Sequence, residues 1–180
     1  MFSTDNWAML QRVSPRLTGY AYAMTQDQPR AAALVQEAIL TAMERRRVPG
    51  DEAGFGLWLM RILRPLCLPG GTPAEEATHG FAEPGADRLH VAGAADDLAL
   101  NALNALVVRQ GFFALPAEHR DSLALIEIAG FGYDEAARLV GIGRAAMAAR
   151  VSAAREALLA ALAEAPVVPF PRAMSGRRHV

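Results

Sequence analysis

Apolar positions recur at helical spacing along most of the chain. From Trp7 to Thr25 an apolar stripe runs through Leu10, Val13, Leu17, Tyr20, Ala21 and Met24. Pro15 lies inside it, so either the helix starts near Ser14 with Pro15 at its first position, or an earlier turn stands apart. A second helix is expected from Arg30 to Arg46, burying Ala33, Leu34 or Val35, Ala38, Ile39, Ala42 and Met43. Its end carries Arg45, Arg46 and Arg47, which would complement the helix dipole. After the turn at Pro49-Gly50-Asp51, Phe55 to Leu66 forms a third helix, and Pro65 should kink or stop it within a few residues.

From Pro69 to about Ala94 the periodicity is lost and Gly, Pro, Ala and acids dominate, which reads as a linker. The helical pattern resumes from Asp96 to Ala114 through Leu98, Leu100, Leu103, Leu106, Val107 and Phe113. Pro116 suits the first turn of a helix running to Ala129, with Gly130 placed to end it. Tyr133, Ala136, Ala137, Leu139 and Val140 then mark a short helix, Gly141-Ile142-Gly143 interrupts it, and a last helix starts at Arg144 and runs to about Ala163 or Glu164. The pair reads as a helix-turn-helix, whose second helix reaches a DNA major groove through its outer face. The expected fold is all-α. Two small helical domains, at 1–68 and 95–165, are joined by a flexible linker at 69–94 and followed by a tail at 166–180.

Composition narrows the possible functions. Half of the 180 residues are hydrophobic, enough for a core, yet no apolar run reaches the roughly 18 to 20 residues of a membrane span. The start MFSTDNWAMLQR lacks the basic and apolar pattern of a signal peptide, so a cytoplasmic protein without membrane insertion is expected. The single cysteine, Cys67, excludes an internal disulfide and any cysteine-rich metal site. No spacing of His79, His90, His119 or His179 with acids suggests a metal centre or a nucleophile with its base. The chain is therefore expected to be neither an enzyme nor the holder of a metal or cofactor. All 18 basic residues are arginine, but the net charge is −1, and residues 109–164 carry six arginines against seven acids. A nucleic-acid domain usually shows a basic surplus.

The segment Leu115-Pro116-Ala117-Glu118-His119-Arg120-Asp121, followed by Leu123, Leu125, Gly130, Tyr133-Asp134-Glu135-Ala136-Ala137, Leu139, Gly141 and Arg150, resembles region 4 of the extracytoplasmic-function (ECF) sigma factors of bacterial RNA polymerase. Leu34-Val35-Gln36-Glu37-Ala38 and Trp58-Leu59-Met60-Arg61-Ile62-Leu63-Arg64 resemble two segments of region 2 in the same family. The resemblance implies a transcription-initiation factor that recognises promoter −10 and −35 elements. It implies core RNA polymerase, promoter DNA and an anti-sigma factor as partners. Position by position, it makes Gln36 and Glu37 candidates for polymerase contact. Arg61 and Arg64 become candidates for the −10 region, and Arg144, Ala148, Arg150 and Arg155 for the −35 region.

Several positions depart from the family pattern. Ala32 and Ala33 stand where the family has acids, weakening a contact to a basic polymerase surface. Pro65 shortens the promoter-facing helix. Aligned on Gly141 and Arg150, the recognition helix has Ala146-Met147-Ala148-Ala149 where the family has a hydroxyl and a lysine, and alanine cannot hydrogen-bond a base edge. Two readings follow. One is an active ECF sigma factor with a divergent −35 reader; the other is a sigma-like regulator that binds an anti-sigma factor, with weak or lost DNA binding.

Overall fold

A computed structural model describes residues 3–68 and 108–164. The expected linker at 69–94, the start of the helix expected from Asp96 and the tail at 166–180 lie outside the described residues. Every described element is helical. The N-terminal half contains α1 (Thr4–Thr25), α2 (Gln28–Met43) and α3 (Glu52–Cys67). In the C-terminal half, residues 108–114 are helical (α4) and precede α5 (Ala117–Leu123), which runs into a π-helical turn (Ala124–Ile128), α6 (Tyr133–Val140) and α7 (Arg144–Ala163).

Each helix of the N-terminal half starts on a side-chain cap. Ser3 accepts the amide of Asn6 at 3.3 Å, Asp27 that of Arg30 at 3.0 Å, and Asp51 that of Gly54 at 2.7 Å. Gly54 is required by the last of these, since a Cβ there would stand 2.8 Å from Asp51 Oδ2. The helix α1 is continuous through Pro15, contrary to the expectation of a start or break near Ser14. Gln11, whose carbonyl loses its partner to the proline ring, is exposed, as is Pro15, so water can take that oxygen. On the opposite side Val13, Leu17, Tyr20 and Ala21 are buried and keep the helix continuous across the gap.

The helix α2 buries Ala31, Val35, Ala38 and Ala42, a stripe of mostly small residues that lets α1 and α3 approach closely. Ala33 and Met43, expected inside, are exposed, and the helix ends at Met43. Arg45, Arg46 and Arg47 thus lie beyond it rather than in its last turn. The helix α3 fills the core with Phe55, Leu59, Met60 and Leu63, and closes at Cys67, two residues after Pro65, as the proline predicts.

In the C-terminal half the helix after Pro116 widens at its end, where Ala129 bonds back to the carbonyl of Ala124 and Phe131 to that of Leu125. Gly130, at φ +69°, makes the reversal possible. Gly141, at φ +80°, does the same after α6, and its amide and that of Ile142 both bond the carbonyl of Ala137. Ala136 and Ala137 are buried, and α7 packs down on them through Met147, Val151 and Ala154, spaced four and three residues apart.

The two halves share one core and meet along a polar seam. At its centre Asp121, 2% exposed, accepts the Tyr20 hydroxyl at 2.6 Å and an ion pair from Arg64 at 2.8 Å. Arg64 also donates to the carbonyl of Leu139 at 3.1 Å, next to the end of α6. Arg16 donates to the carbonyls of Ala129 and Gly130 at 2.5 and 3.0 Å and lies over the Phe131 ring. Two arginines of the N-terminal half thus hold the carbonyl ends of two successive helices of the other half, where the helix dipole favours cations. At Gly19 a Cβ would come within 2.9 Å of the Ile128 side chain, so α1 and the π-helical turn are in close contact there. Arg109 bonds the Tyr22 hydroxyl at 3.1 Å, and Tyr22 meets Phe113 edge to face.

Candidate nucleic-acid interface

The helix-turn-helix expected from the sequence is formed by α6, the turn Gly141–Gly143 and α7. The Gly132 amide donates to Glu135 Oε2 at 2.8 Å, fixing the start of α6. With Met147, Val151 and Ala154 turned inward, the 100° step of an α-helix sets the outer face of α7. That face carries Ala145, Ala149, Ser152, Ala153 and Glu156, all exposed. Ser152 bonds Glu156 within it at 3.4 Å.

The arginines are placed on the flanks. Arg144 and Arg155 lie on one side, together with the exposed Ala148, and Arg150 lies on the other. Each is paired with an acid of its own half. Arg144 reaches Asp134 at 3.2 Å, Arg150 reaches Glu118 at 3.6 Å, and Arg155 bonds Glu127 through Nε at 3.1 Å and through Nη2. The Arg144 side chain is 70% exposed and that of Arg150 only 25%, so Arg150 braces α5 against α7 while Arg144 stands open to a ligand.

The candidates of the N-terminal half are scattered. Gln36 and Glu37 are exposed on α2, where Leu40 is also exposed, at 63%. Arg61 is half-buried on α3, and Arg64, one turn further, is held in the seam. The structure therefore brings Arg144, Ala148 and Arg155 together on one side of α7. It separates Arg150 from them, and it commits Arg64 to Asp121.

Sequence reasoning gave no place to Tyr20, Asp121 and Arg16 as the residues that join the two halves. Tyr20 read as one more member of an apolar stripe and Asp121 as one more residue of a motif. Burial pushes the Tyr20 hydroxyl well above its ordinary range, and the charge and hydrogen bond of Asp121 push the same way. Burial, with the charge of Asp121 added, lifts the Cys67 thiol to about 12.

Among the described residues no cluster of His, Cys, Asp or Glu could hold a metal ion, and no helix is long and apolar enough to cross a membrane. Among curated proteins, none matches the sequence. The family model for Sigma-70 region 2 matches residues 9–68, the three-helix N-terminal half. Among solved structures, the sigma factor RpoE of Bartonella quintana, determined in complex with the anti-sigma factor NepR, is similar at a TM-score of 0.56 and 22% identity. The match covers 91% of this chain and 100% of that one, so the likeness is one of fold across both halves. The N-terminal half is thus similar to a Sigma-70 region 2, and the fold as a whole, closing in a helix-turn-helix, is similar to that of a solved sigma factor.

Proposed function

We propose that this sigma factor docks on core RNA polymerase through α2, with Gln36 and Glu37 at the contact, and reads the promoter with α3 and α7. The supporting observation is the shape and chemistry of α7. Its outer face is open, free of bulky side chains and flanked on both sides by guanidinium groups. In a major groove, Ala145 and Ala149 would meet thymine methyl groups, Ser152 would supply the hydrogen-bonding hydroxyl, and Arg144 and Arg155 would take phosphates. The exposed pairs with Asp134 and Glu127 are worth at most about 1 kcal/mol each, so a phosphate can replace either acid.

A run-off transcription assay with core polymerase on the gene's own upstream region tests this. A promoter-specific transcript is expected. The double substitution Arg144→Ala with Arg155→Ala should reduce promoter retention and lower the log–log salt slope by about two. An unchanged transcript and slope would remove α7 from promoter binding.

A second reading is favoured by the pairing of all three α7 arginines with acids. In it the same surfaces bind an anti-sigma factor, as the solved relative does, and DNA binding is weak. Binding to such a partner without any promoter-specific transcript would select it. In either reading the place of action is the cytoplasm, where polymerase is found.

A further inference from the structure

The end of α1, the start of α2, the end of α3 and the start of α5 leave a cavity of about 320 Å³ between them. Met24, Leu68 and Ala117 supply apolar lining, and Thr25, Cys67, Arg30 and Arg120 supply the polar groups. Among the described residues no acid lines it. The Thr25 hydroxyl is engaged with the Ala21 carbonyl at 2.8 Å, and the Cys67 thiol is held neutral by burial. The two guanidinium groups are therefore what the cavity offers to a polar ligand.

Both arginines lack the partner that the others have. Arg12, Arg64, Arg144, Arg150 and Arg155 each pair with an acid, whereas among the described residues neither Arg30 nor Arg120 does. Arg120 donates through Nη1 to the Phe113 carbonyl at 2.8 Å, which fixes its plane, and its enclosed Nε has no hydrogen-bond partner. Arg30 is exposed, and its charge acts on the Cys67 thiol against the burial that raises it. It also stands against the preference of its own helix. As the third residue of α2, in a first turn without any acid, it occupies the place where the helix dipole favours a carboxylate. Helix stability does not account for a cation there, beside a second cation on the same cavity.

We propose that this cavity binds a small phosphate monoester, with its dianion on Arg30 and Arg120 and its apolar group against Met24, Leu68 and Ala117. Near neutral pH a phosphate monoester carries close to two negative charges and three acceptor oxygens, enough for two guanidinium groups. A carboxylate neutralises only one of them. At roughly 30 Å³ for each water-sized group the cavity holds about ten, which is a phosphate with four or five carbons. The site is separate from the surfaces assigned above to promoter and polymerase, so it stands or falls independently of them. A ligand held there touches helices of both halves, and its binding adds to the stability of the described fold.

Calorimetric titration and thermal unfolding of the full-length chain with n-butyl phosphate test this. Saturable binding with Kd of about 1 mM or tighter is expected, and about 10 mM ligand should raise Tm by about 3 °C or more. Butyrate should bind at least tenfold more weakly, and inorganic phosphate, without the apolar group, should also be weaker. The ester should slow alkylation of Cys67 at about pH 9 at least threefold, which ties binding to this cavity. Arg30→Glu, which suits the first turn of α2 and should leave the circular dichroism spectrum unchanged, should weaken binding of the ester at least tenfold. Arg120→Gln should do the same, and if that variant fails to fold, Arg30→Glu decides. Absence of saturable binding, or binding that Arg30→Glu leaves unchanged, would overturn the proposal. Butyrate binding as tight as that of the ester would overturn the assignment to a phosphate.

Discussion

The arginines of the seam and those of α7 have the same side chain and nearly opposite energetics. Arg64 meets Asp121 where both are shielded from water, so its charge is committed to one geometry. Arg144 and Arg155 meet their acids in solvent, where side-chain entropy and screening cancel most of the attraction. The difference shows that solvent access decides what an arginine does here. Enclosed, it sets the relation between two domains; exposed, it remains available to a polyanion. On the proposed promoter-reading role, the same contrast would let a helix-turn-helix half without a basic surplus offer cations to DNA, since its acids hold them only weakly.

Replacing Arg64 by Ala should have the largest effect, because it strands the Asp121 carboxylate. A loss of about 3–5 kcal/mol is expected in the interaction between the halves, read as lost hydrogen-exchange protection on both sides of the seam. Undiminished protection would mean that the pair is solvated.

Raising the pH should weaken the same seam without any mutation. Tyr20 and Cys67 are both held neutral by burial, so their stabilising contribution is complete below the ordinary range of each group. It is lost as pH rises through it, for Cys67 between about 9 and 12. Opening or unfolding should therefore set in above pH 9 in scattering or near-ultraviolet dichroism. Alkylation of Cys67 should remain slow at pH 8, and fast alkylation there would show that the thiol is not enclosed in solution.

Gly141→Ala gives a smaller effect on the other region. Nothing lies within 4 Å of the Cβ it would add, so the cost is that of φ +80° alone, about 1 kcal/mol by urea titration. Smallest of all is Arg155→Gln, which should change stability by less than about 1 kcal/mol while reducing the salt dependence of promoter binding. A large stability loss there would place Arg155 with Arg64 rather than with Arg144.

Much of this molecule was legible in its sequence because helices declare themselves locally. The turn at Asp51, the glycines at 130 and 141, and the stripe Leu10, Val13, Leu17, Tyr20 of α1 depend on neighbours only a few residues away. Where local logic met tertiary packing, it failed. Pro15 does not end α1, because burial on the far side outweighs one missing hydrogen bond, and Arg45 to Arg47 fall outside α2 because Met43 finds no core to enter.

By itself the sequence determined the helical elements, the helix-turn-helix and the likeness to sigma region 2, since periodicity and motif spacing are properties of short segments. Only the tertiary structure decided that α7 points alanines outward with arginines on its flanks, because the inward face is chosen by what it packs against. The closing of one half on the other was likewise invisible in the sequence. Tyr20, Arg64 and Asp121 are separated by up to 101 residues along the chain, and no local rule ties a carboxylate to donors so far away. Their meeting is fixed by the fit of two apolar surfaces that bring one buried charge opposite another.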